Sequence, residues 1–379
     1  MRASLLLPSL RVGTCLGAAA LLSTAPSLLH AQRDDQSRVR HGIAIGDVPR
    51  VKGVRLNFRD RHLERVDGVN VTIWTPHDPM RGDVHGIALG LPATGAGNIE
   101  GAAIGIFGAG ATGRIDGLGL GLAGLGSGDG MQGLMLGGIG IGSGGRLEGV
   151  SIGGIGVGAG GGMRGISIGG IGVGAGDDVS GLTLGGIGVG SGGDLWGIQV
   201  AGIGLGSGGD LTGLTVGGIG AGGGGDVTGI TIAGIGVGAG GRMKGIQLAG
   251  IGIGGGGGMT GLQVAGVGIG SGGRLKGISI AGVGVGAPRI EGFVAAAAAG
   301  GREVTGVVLA PVFFRIEDDG ELHGAALSAY NRIRGTQRGV TIGIVNYARR
   351  LDGVQFGLVN IVRENPDGRR VLPLVNWGR

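Results

Sequence analysis

The chain has 379 residues, of which 102 are glycine and only 3% are aromatic, and it carries a formal charge of +5. With 10 prolines and no strict Gly-X-Y period it is not collagen, and with 42% apolar residues it is too hydrophobic for a disordered segment. Its length allows two or three ordinary domains, or one elongated body if the chain repeats itself.

Residues 1–31 read as a secretory signal peptide. Arg2 and Arg11 supply the charge, residues 16–22 the apolar part, and Leu29-His30-Ala31 a small residue at the cut. Pro8, Arg11 and Pro26 break the apolar stretch, which is too short and interrupted to span a bilayer. A lipoprotein anchor at Cys15 is the rival, but Val12-Gly13-Thr14-Cys15 comes too early and matches poorly. Cys15 is the only cysteine, so cleavage after Ala31 leaves none. Disulfides, thiol chemistry and cysteine zinc sites are then excluded.

Residues 32–116 read as degenerate repeats and a cap. GVRLNF begins at Gly53, GVNVTIW at Gly68, GIALGL at Gly86 and GAAIGIFGAG at Gly101. His41, His62, His77 and His85 also lie here, without the His-x₃-His or HExxH spacing of a zinc site.

Residues 117–291 form a regular array with a step of sixteen. GITIAGIGVGAGGRMK opens at Gly229 and GIQLAGIGIGGGGGMT follows at Gly245. Glycine costs about 1 kcal/mol against alanine at each interior helical position, which excludes helix. Ile230, Thr231 and Ile232 alternate as a half-buried strand does, predicting the isoleucines inward and Thr231 outward. Ile235 and Val237 fall out of phase with them, predicting a turn or bulge at Ala233-Gly234. Two short strands and their corners, repeated every sixteen residues, predict an all-β fold, a β-solenoid with 16-residue coils. Roughly twenty coils at about 4.8 Å would make a rod on the order of 100 Å long. The alternative is an antiparallel β-meander or an outer-membrane β-barrel, since twelve residues and a tight turn also suit a barrel strand. Against it, the turns are uniformly short and aromatic girdles are missing. One unit alone cannot offset the entropy of ordering sixteen residues, so the array folds only as a stack.

Asp178, Asp194, Asp210 and Asp226 form a column within the array. They are the only candidates for a metal, weak ones, because a hard cation such as calcium could bridge stacked carboxylates. No second carboxylate repeats beside them apart from Asp177, and the column becomes Arg242 and Arg274, which favours a solvated turn.

Residues 292–379 are degenerate C-terminal repeats and a cap. The eighth place of the unit, Gly236 in the array, reads Asn346 and Asn360 here. Glycine and asparagine tolerate positive φ best, which predicts a corner at that place. Glu317, Asp318, Asp319 and Glu321 predict an exposed acidic loop, and late arginines such as Arg334, Arg338, Arg349 and Arg350 supply much of the basic excess. GVTIGIVNYARRLDGVQFGLVNIV, followed by LPLVNW, resembles the signal-peptide-bearing surface-repeat proteins of Gram-negative bacteria with their GxxIGxxN units. GVRLNF and GVNVTIW are similar to the opening of that family. The resemblance implies an envelope or surface location and no assigned activity. The glycine-only centre departs from the asparagine-bearing pattern, so no shared ligand face is implied.

Sequence motifs for chemistry fail on context. GxGxxG patterns open no helix, and no Gly-Lys pair exists for a P-loop. GxSxG at Ser151 and Ser167 belongs to a column that continues Thr183, Gln199, Thr215 and Thr231, read as the outward polar row of a strand rather than a nucleophile elbow. The same row, if outward, could order water as an ice-binding face does. The expected role is a non-enzymatic, exported structural or interaction protein of the cell envelope, outer membrane or cell surface. A pore-forming barrel is the alternative, and a calcium-binding or ice-binding solenoid a distant one. No catalytic residue and no cofactor are expected. Partners would be envelope components or anionic surfaces rather than nucleic acid, since stacking aromatics are scarce.

Overall fold

A computed structural model describes residues 39–378, and the expected signal peptide lies outside them. All regular structure among the described residues is β. One unit makes one turn. A long strand runs Met243–Ala249, a bend follows at Gly250 and Ile251, a short strand runs Gly252–Gly255, and glycines 256–258 lead into the next turn. Long strands pair in parallel with their equivalents one turn away, Gln247 lying opposite Thr231 and Gln263. Short strands do the same, Ile253 lying opposite Val237 and Ile269. The result is a β-solenoid of about 19 turns, about 90 Å long at about 4.8 Å per turn. The meander and barrel alternative is therefore not the fold, since both need antiparallel neighbours. Among the described residues only the final strand, Val371–Gly378, runs antiparallel, folding back on Val345–Val362 and closing that end of the ladder.

The first glycine of each unit fixes the coil. From Gly42 to Gly353 these glycines stack on one another, and all have positive φ, as at Gly229 (112°) and Gly245 (119°). A Cβ at Gly245 would also overlap the carbonyl oxygen of Gly229 below it. Conformation and close approach both demand glycine there. The corner expected at the eighth place is a correction. Gly236 is not among the positive-φ glycines, and Asn346 and Asn360 are fully buried. Asn346 lies opposite Asn331, which lies opposite Phe314, then Ala299, then Val285. That is the interior column of the ninth place, the column of Val237 and Ile253. Units near the C terminus vary in length, so counting from the first glycine slips by one. The asparagines form an internal ladder: Asn331 Nδ2 donates to Asn346 Oδ1, and Asn346 Nδ2 to Asn360 Oδ1, each at 2.7 Å.

The long strand also faces opposite to expectation. Thr231 is fully buried, whereas Ile230 and Ile232 are 41% and 37% exposed, and Ile235 at the bend is 48% exposed. The interior rows are the Met243 column, the Ser/Thr/Gln row and the Gly/Ala row of Ala233, faced by Val237 and its equivalents on the short strand. The reason lies two residues away. A strand alternates faces, so Ile246 and Leu248 share a face with Lys244, while Gln247 shares one with Met243 and Ala249. Lys244 heads a column holding Asp116, Glu148, Arg164 and Lys276. Burying two more aliphatics per turn would gain about 3–6 kcal/mol, less what exposing methionine forfeits. Burying an unpaired charge costs several kcal/mol per ion. The charged column goes to water and takes the isoleucines with it.

Candidate interaction surface

Two aliphatic columns therefore line the outside of the long-strand face, and a third lines the bend that follows it. Ile230 and Ile232 stand for the first two, and the bend column runs through Ile155, Ile171, Ile187, Ile203, Ile219, Ile235 and Ile251, all about half exposed. The strip continues at both ends, through Ile87 on one side and Val307, Ile342 and Ile344 on the other. About 90 Å of length and about 15 Å of width make an area on the order of 1,300 Å², several times the few hundred Å² usual on a soluble monomer. The charged column borders it and contains the one aromatic of the regular array, Trp196, which is 64% exposed.

The opposite face is bare backbone. Outward places of the short strand are glycine turn after turn, and a Cβ at Gly142, Gly158, Gly206, Gly238, Gly254 or Gly270 would meet nothing within 4 Å. Near the N-terminal end Pro76 and Met80 lie on this face over Gly95, and Thr112 Oγ1 donates to the Met80 carbonyl at 2.9 Å. Near the C-terminal end Phe313 and Tyr330 rise from the same face with ring centroids 5.6 Å apart.

The aspartate column occupies a corner. Asp178, Asp194, Asp210 and Asp226 each accept, through Oδ1, the backbone N–H of the residue one turn on, at 2.7–2.8 Å. The carboxylates cap donors that the corner leaves without a strand partner. Asp226 is held below the ordinary aspartate value, first by the Arg242 N–H against some desolvation, then by the Arg242 side chain at 3.0 Å. Among the described residues no three His, Cys, Asp or Glu side chains converge as a metal site would require. His62 Nδ1 contacts Asp47 Oδ2 at 2.7 Å and His85 Nδ1 contacts Glu100 Oε2 at 2.8 Å, so these two histidines pair with separate carboxylates.

The polar row expected outside is a second correction. Ser151 and Ser167 are buried in the middle of regular strands, where a nucleophile elbow would present its serine at a turn. The hydroxyls offered as an ice-binding array are likewise interior. Inside, Gln263 Nε2 donates to Gln247 Oε1 at 3.2 Å and Ser279 Oγ to Gln263 Oε1 at 3.1 Å. Thr231 Oγ1 and Gln199 Nε2 find no partner.

The ends hold the densest polar chemistry, and it is spent on the fold. Arg55, fully buried, donates to Asp60, to Asp47 Oδ1 at 2.8 Å and to Asn70 Oδ1 at 2.9 Å. Asp60 also accepts from Asn57, Asn70 and Thr72. This network caps the N-terminal turns, where sequence reasoning weighed only the histidines. At the other end the acidic run expected as a loop is instead a bulge within the strand Phe313–Leu327, and it is ion-paired rather than free. Asp319 meets Arg349 at 2.7 Å, Asp318 meets Arg334 at 3.2 Å, and Glu364 binds both Arg349 and Arg350. Those arginines supply much of the basic excess, and their pairing leaves less free positive charge there for an anionic partner.

Compared with known proteins, the chain matches no family model, no curated protein and no solved structure.

Proposed function

We propose that this chain is a non-enzymatic, exported structural or interaction protein of the bacterial cell envelope, a rod whose working surface is the exposed aliphatic strip. The observation that carries this reading is the strip itself. Its isoleucines contribute little to the core, and an apolar area of this size, repeated turn after turn, is what a docking face offers. The signal-like N terminus and the resemblance to surface-repeat proteins support the compartment. A barrel or pore lacks support, because a parallel solenoid encloses side chains rather than a channel.

The test is fractionation of bacteria producing the full chain, beside a variant carrying Ile166→Lys, Ile198→Lys and Ile230→Lys. The wild type is expected in the envelope fraction with residues 1–31 removed. The variant is expected exported, folded by circular dichroism, and smaller in native size than the wild type in a detergent-free extract, because the strip no longer docks. Retention of the unprocessed chain in the cytoplasm would overturn export, and a variant of unchanged native size would overturn the role of the strip.

A further inference from the structure

We propose that the strip is covered by a second copy of this chain, packed face to face with its turns in reverse order about a two-fold axis at Trp196. The proposal rests on reading the strip as a docking face and adds its occupant.

Trp196 sits at the middle of the rod. In the column of positive-φ glycines, ten precede Gly197, from Gly42 to Gly181, and ten follow it, from Gly213 to Gly353. An axis in the interface plane, along the strand Leu195–Ala201, keeps strand direction and reverses turn order. Like columns then face each other, and every residue meets the one equally far beyond Trp196. Trp196 meets its own copy.

The charges of the bordering column fit that operation. Three turns before Trp196 the column holds Glu148, and three turns after it Lys244. Five turns before it stands Asp116, and five turns after it Lys276. Opposite charges meet at both steps, and symmetry forms each pair twice. Between them the operation sets Ser180 against Thr212, Arg164 against Thr228 and Gln132 against Thr260, with no like charges opposed within this column. In the corner column beside it the same operation would oppose Asp178 to Asp210 and Arg146 to Arg242, so the contact stops at the charged border. Glu148, Lys244 and Lys276 have no ion-pair partner among the described residues, and Asp116 has Arg114 at 3.7 Å. A parallel arrangement, with its axis along the rod through this column, would instead stack each charge on its own copy. One step further out Glu100 would face Glu291, which sets the limit of the contact.

The area also fits. From the Asp116 turn to the Lys276 turn the strip is about 50 Å long and about 15 Å wide. That covers on the order of 750 Å² on each copy, the size of a standard stable interface. The regular columns bring aliphatic against aliphatic, Ile166 against Ile230 and Leu182 against Leu214, and the tryptophan at the centre is a hot-spot residue type in a hot-spot position.

The experiment is light scattering on the purified, processed chain at micromolar concentration, with circular dichroism to verify the fold of each variant. The wild type is expected at twice the monomer mass. Glu148→Lys alone and Lys244→Glu alone are each expected to weaken dimerisation about tenfold or more, since each creates two like-charge contacts. The two together are expected to restore it to within a few-fold. Trp196→Arg is expected to be monomeric and folded. A double variant as weak as the singles would overturn the reversed order. A wild-type monomer that floats with phosphatidylethanolamine–phosphatidylglycerol vesicles would overturn the dimer and leave the docking face standing. A wild-type monomer that ignores vesicles would overturn both.

Discussion

The hydroxyl of Thr231 lies inside the solenoid without a hydrogen-bond partner, while the side chain of Ile232, the next residue, lies in water. An unpaired buried hydroxyl costs about 1–3 kcal/mol, and valine has nearly the same shape without it. Thr231→Val is therefore expected to raise stability by about 1 kcal/mol, read as a higher denaturant midpoint at unchanged slope. A strand facing the other way would leave the midpoint where it was.

Two glycines nine residues apart are expected to respond in opposite ways to alanine. Gly229 has φ near 112°, and a Cβ there would overlap the Gly213 carbonyl. Gly229→Ala is expected to cost at least about 2 kcal/mol. Gly238 has open space beyond its Cα. Gly238→Ala is expected to be neutral or to stabilise by about 0.5 kcal/mol, through the unfolded chain. Thermal midpoints of the two variants decide the matter.

Acid is expected to loosen the N-terminal cap. Burial works to raise the Asp47 pKa, but the His62 ring, the backbone N–H groups of His62 and Arg61, and the Arg55 charge outweigh it and hold the group below its ordinary 3.8. A carboxylate depressed in the folded state contributes stability that is fully present above the unfolded value. That contribution is lost as pH falls through the folded value. Stability should thus be flat with respect to this group near neutrality and fall below about pH 4. The Asp47→Asn variant should be less stable at neutral pH and show a shallower acid limb, measured by denaturant melts across pH.

The architecture was legible because its causes are local and repeated. Glycine density excluded helix, the sixteen-residue step gave the coil, and Gly229 and Gly245 mark the same place in successive turns. Orientation was not read, because Ile230-Thr231-Ile232 alternates equally well in either phase. The deciding signal was in the sequence, two residues before several of the aliphatic pairs, at Glu148, Arg164 and Lys244. It was missed by weighing the aliphatics without the charges that share their face. The asparagine ladder was missed for a different reason. Asn346 aligns with Val285 only when strands of unequal unit length are placed side by side, which counting along the chain cannot do. The Arg55 network joins Asp47, Asp60 and Asn70 from separate turns, and only the stacking of those turns brings them together.

The inside-out long strand is the claim on which the strip, its occupant and the proposed role all stand. Thiol accessibility tests it most directly, because Cys15 is the only native cysteine. In a Cys15→Ser, Trp196→Arg background, monomeric on this account, Ile230→Cys, Thr231→Cys and Ile232→Cys would each be treated with a maleimide. The account predicts fast labelling of the Ile230→Cys and Ile232→Cys variants, and labelling of Thr231→Cys slower by about a hundredfold or more, limited by opening of the coil. Fast labelling of Thr231→Cys with protection of the two flanking variants would contradict it.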